Sequence, residues 1–140
     1  MPLVRSPEQK RATLDEFYAE IAGWSDPGSS KGGTQMRRLI KRINEALLTT
    51  GVWGLTSHAH LLLHATPDYA APWFVSVVAY GDQIVIEYKL PANTAPWKDA
   101  VVRGVASDIE TALMYVKIAM LRSGGWPQCS EMVVANQTSA

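Results

Sequence analysis

The spacing of apolar residues along the chain changes from helical to alternating and back again. Leu14, Phe17, Tyr18, Ile21 and Ala22 recur at helical intervals, with Asp15, Glu16 and Glu20 on the opposite face. Ser6 is placed to cap this first helix, with Pro7 at its first position, Gln9 positioned to close a capping box and Gly23 as its stop. A second stripe, Met36, Leu39, Ile40, Ile43 and Leu47, predicts a helix over 34–50 that ends at Gly51. The Gly/Ser-rich run 26–33 between them reads as a linker.

From Val52 the period becomes two. Trp53, Leu55, Ala59, Leu61, Leu63 and Ala65 alternate with Gly54, Thr56, His58, His60 and His64, which predicts one half-buried strand bent at Gly54. Two β-rich runs, 73–80 and 83–90, then flank Gly81-Asp82, a two-residue turn of the kind that closes a hairpin. That turn sets Ala79 opposite Ile84, Val77 opposite Ile86 and Val75 opposite Tyr88 on an apolar face, and Ser76 opposite Glu87 on a mixed one. After a loop containing Pro91 and Pro96, residues 100–106 read as a further strand interrupted by Gly104. Ser107 and Glu110 form a second capping box for a last helix that runs to about Ser123.

That helix has a core stripe of Ile109, Ala112, Leu113, Val116, Ala119 and Met120, and a second apolar patch at Met114, Ile118 and Leu121 that suits a homodimer contact. The expected fold is a two-layer α+β domain in the order ααββββα, a four-stranded antiparallel sheet packed against helices. Residues 1–140 read as a single domain in which 128–140 are weakly ordered. A chain of 140 residues, 47% of them hydrophobic, buries enough surface to fold without a disulfide or a structural metal. Its lone Cys129 forms no internal disulfide, and no leader pattern or membrane-spanning apolar run is evident, so a cytoplasmic location is expected.

Thirteen basic residues balance thirteen acidic ones, which disfavours a protein that grips phosphate backbones through counterion release. Nucleic-acid binding through the basic face of the second helix is therefore only a third reading. Complete catalytic signatures are missing: there is no Gly-x-Ser-x-Gly elbow, and the Gly28–Thr34 run lacks both the terminal order and the preceding strand of a phosphate loop. No cofactor is expected. His58 and His60 have the i, i+2 spacing of some metal ligands, with Glu87 as a third candidate from a neighbouring strand, so a small metal-binding protein or enzyme using that cluster is the alternative reading.

The preferred expectation is a non-enzymatic module that binds another protein. Arg37, Arg38, Lys41 and Arg42 place four cations on one helix face, suited to an acidic partner, and Trp97 and Trp126 stand beside prolines in loops, where large rigid rings act as anchors. A small bacterial inhibitor or toxin-immunity protein has this kind of design by analogy.

Overall fold

The computed structural model describes residues 4–5, 13–48, 50–57, 59–66 and 73–126. Its elements are β1 (Val4–Arg5), α1 (Leu14–Ala22), α2 (Pro27–Ala46), β2 (Trp53–Ser57), β3 (His60–His64), β4 (Val75–Tyr80), β5 (Gln83–Lys89), β6 (Val101–Ala106) and α3 (Ile109–Arg122). The strands form one sheet in the order β1-β2-β3-β4-β5-β6. β2 to β6 are antiparallel neighbours, and β1 adds two residues parallel to β2. The α+β class is as expected, but the antiparallel sheet has five strands, not four.

The additional strand arises where one bent strand was expected. The chain turns back around Ala59, whose φ of 69° lies in the left-handed region, and Tyr18 Oη of α1 donates to Ala59 O at 2.9 Å. β2 and β3 then pair with Trp53 opposite His64 and Leu55 opposite Leu62. This pairing reverses the parity of the segment. Leu61 and Leu63 are fully buried toward the helices, whereas Trp53 and Leu55 are only half-buried on the far face of the sheet.

The β4–β5 hairpin has the register expected from its two-residue turn, with Gly81 at a φ of 59°. Val75, Val77, Ile84, Ile86 and Tyr88 face inward. They meet Leu39, Ile43 and Leu47 of the α2 region and Ala112, Val116 and Met120 of α3, while Leu14, Tyr18 and Ile21 seat α1 on α2.

The run expected to be a linker is instead the start of α2. Asp26 caps it by accepting from Ser29 N at 2.9 Å, and Pro27 takes the first helical position. Its glycines allow close approach on two sides. A Cβ on Gly32 would run into the backbone of Ala79 in β4, and one on Gly33 would lie 2.8 Å from Tyr18 O of α1. Gly81 N also donates to Gly28 O at 2.9 Å, and Lys31 pairs with Asp82, so the hairpin tip is clasped to this end of α2.

α1 starts after a reciprocal capping box between Thr13 and Glu16, and the expected start at Ser6 lies outside the described residues. α3 is capped by Asp108, one residue later than expected, because Asp108 accepts from Thr111 N at 2.8 Å while Glu110 turns toward Arg42 of α2. The C-terminal segment 128–140, with Cys129, also lies outside the described residues. No described helix is long and apolar enough to cross a membrane.

These caps carry a pH signature. Hydrogen bonds from Ser29 to Asp26, and from Thr111 to Asp108, hold both carboxyls below their usual value of 3.8, and Arg42 likewise lowers Glu110. Groups whose folded pKa is depressed stabilise fully above the unfolded value and lose that contribution as protons bind the folded state. Stability is therefore expected to decline as pH falls below about 4. Carboxyl NMR titration should place all three midpoints below those of the unfolded chain; midpoints at or above them would refute the capping geometry.

Candidate protein-docking surface

The proposed metal cluster is not brought together by the sheet. His58 lies outside the described residues. β3 pairs with the incoming hairpin arm β4, so His60 Nδ1 meets Ser76 Oγ at 3.1 Å. Glu87 is one strand further on, roughly 10 Å away laterally at normal strand spacing. It faces Ser76 in register and approaches Arg103 Nε at 3.7 Å. Among the described residues no three His, Cys, Asp or Glu side chains gather closely enough to hold a metal ion.

The cationic face of α2 divides into two kinds of residue. Arg37 makes a two-point bond to Asp15 of α1, at 2.9 and 3.2 Å, and Arg42 does the same to Glu110 of α3, at 2.7 and 2.9 Å, with a further bond to Glu45. Both guanidinium pKa values are raised by these carboxylates. Arg37 and Arg42 thus fasten three helices together and are withdrawn as partner contacts, because their forks are already filled. Arg38 and Lys41 remain exposed, with no ion pair to a described residue. They border an open hollow of about 750 Å³ beside α1, which ends at the exposed Leu48.

The two loop tryptophans have opposite placements. Trp126 is 7% exposed, donates from Nε1 to Gly51 O at 2.8 Å and meets Phe74 edge-on at 5.5 Å. It plugs the end of the core, and its expected role as an anchor is withdrawn. Trp97 is 72% exposed on the β5–β6 loop. That loop is held by backbone bonds from Thr94 and Ala95 to Pro91 O, from Leu90 to Ala100 O and from Ala100 to Trp97 O. Its ring borders a hollow of about 530 Å³ whose charged lining residues are Lys89, Lys98 and Asp99 and whose apolar ones include Leu90, Ala92 and Ala95. Lys89 Nζ also sits 4.3 Å over the Trp73 ring.

The patch expected on α3 is only partly exposed. Met114 is exposed, Ile118 lines a groove against the sheet, and Leu121 packs partly on the core. Sequence reasoning missed the outward exposure of Trp24 and of three valines on β6, Val101, Val102 and Val105. The Val101-Val102-Arg103-Gly104-Val105 run was the available signal, since it lacks the polar alternation of a strand with one face in water. No protein-family model, curated protein or solved structure matches the chain.

Proposed function

We propose that the chain is a non-enzymatic protein-binding module whose partner presents an acidic surface, as a small inhibitor or immunity-type protein would use. Trp97 carries this reading. Its indole is presented to solvent by a loop whose backbone is already hydrogen-bonded, so little ordering entropy opposes its burial in a partner. Lys89 and Lys98 beside it outnumber the single carboxylate of that hollow, Asp99, and Arg38 and Lys41 on α2 add positive charge with no ion pair to a described residue.

Comparing what is retained from a lysate of its own cells by the wild-type chain, by Trp97→Ala and by Arg38→Glu/Lys41→Glu tests the proposal. A protein held by the wild type should bind Trp97→Ala about 30-fold or more weakly, equivalent to ~2 kcal/mol for an interface anchor. The charge-reversed variant should bind more slowly and with less dependence on salt. Equal retention by wild type and Trp97→Ala, or retention of nothing, would overturn it.

A further inference from the structure

β6 ends the sheet on the side away from β1, and its hydrogen-bonding direction can be read from its neighbours. Lys89 N donates to Phe74 O on the β4 side of β5, and Leu90 N donates to Ala100 O on the β6 side. Bonded and non-bonded pairs alternate in an antiparallel ladder. Tyr88–Val102, Ile86–Gly104 and Ile84–Ala106 are therefore the bonded pairs. The amides and carbonyls of Val101, Arg103 and Val105 point away from β5, and among the described residues nothing pairs with them.

Exposed edges are usually blunted by lysine, proline, a bulge or a covering element. This one carries Val101 and Val105, each about half exposed, and a single cation. A groove of about 230 Å³ opens beside it, between the inner face of β6 and α3. Its floor is Tyr88, Val102 and Gly104, and its far wall is Tyr115 and Ile118. Gly104 keeps that floor low, since a Cβ there would press on the Tyr115 ring at 3.2 Å. The volume suits roughly one or two aliphatic side chains, given that an apolar cavity of about 150 Å³ holds benzene. Arg122 of α3 brings a cation to the groove, while Arg103 pairs in register with Glu87 on the other face of the sheet, its Nε 3.7 Å from that carboxylate.

We infer that β6 is a strand-addition site. An extended segment of another protein pairs with the edge of β6, sets alternate apolar side chains into the α3 groove and places a carboxylate of that same face by Arg122. Arg122 on the groove side favours an acidic segment over a second copy, whose own β6 carries no carboxylate. The inference rests on the protein-binding reading, and Trp97 lies only four residues before Val101, so one partner can engage both.

The full chain is panned against a random dodecapeptide display library. Enriched peptides are expected to carry apolar residues at alternate positions, with an acidic residue in that same alternation, and to slow amide exchange at Val101, Arg103 and Val105 by about tenfold or more. Val105→Pro, which removes one edge donor and spares the β5 ladder, should weaken them about tenfold. Arg122→Glu, on the helix and outside the sheet, should weaken them to a similar extent, and with the exchange pattern it decides the question should Val105→Pro fail to fold. Absence of enrichment, or enriched peptides that leave the three amides unchanged, overturns strand addition. So does protection of those amides in the free chain, whether constant with concentration, as for a segment of its own, or growing with it, as for a second copy. A lysate partner lost on Trp97→Ala but indifferent to Val105→Pro and Arg122→Glu would retain protein binding and remove this site.

Discussion

Trp126→Ala is expected to lower the free energy of unfolding by about 4 kcal/mol, whereas Trp97→Ala should leave it within about 0.5 kcal/mol. Both residues are tryptophans beside a proline in a loop, so the contrast comes entirely from their surroundings. Trp126 follows α3 and closes the end of the core over Phe74 and the start of β2. Its removal opens a cavity beside Phe74 and deprives the Gly51 carbonyl of its donor. Trp97 has no such enclosure. Urea unfolding of the two variants checks the assignment, and a loss below about 1 kcal/mol for Trp126→Ala would show that the ring is not part of the core.

A second large effect is expected inside α2, in the direction opposite to helix propensity. Alanine in place of glycine within an exposed helix gains about 0.8–1 kcal/mol. Gly32→Ala should instead cost about 3 kcal/mol or more, because the new methyl group has to displace the backbone of Ala79 in a central strand. Gly28→Ala supplies the comparison. Its nearest neighbour is the ring of Tyr80, an exposed side chain that can swing aside, so its cost should be well under that of Gly32→Ala. Thermal or denaturant midpoints measure both, and a stabilised Gly32→Ala would mean that α2 and β4 are further apart than described.

The same two regions show why parts of the fold were legible and others were not. The β4–β5 register could be read because Gly81-Asp82 is a turn with its own chemistry, and a slip by one residue would exchange an apolar face for a mixed one. The β2–β3 hairpin has no comparable signal. Its turn uses Ala59, a residue type that rarely adopts positive φ, and an alternation across 53–65 that departs only at Ser57 and Leu62 looks much the same for one strand as for two folded against each other. Reading it as one strand put Trp53 on the face of Leu61 and Leu63, and with the strand's partner unfixed Glu87 stood as a candidate neighbour of His60, where the sheet sets Ser76. In α2, local propensity reads Gly-Ser-Ser-Lys-Gly-Gly as linker, while the close approach of two neighbouring backbones makes those glycines the residues that fit there.

For the candidate surfaces the division is similar. Charge clustering on α2 was visible at helical spacing, but the removal of Arg37 and Arg42 from that surface depends on Asp15 and Glu110, which are distant in sequence. What the residues alone determined were periodicities and local turns: an α+β composition, the inward faces of three helices and one hairpin register. Strand order, the covering of Trp126, the exposure of Trp97 and the open edge of β6 were decided only by assembly. Local pattern reports which side of an element avoids water, whereas the identity of its neighbour depends on contacts between residues far apart along the chain.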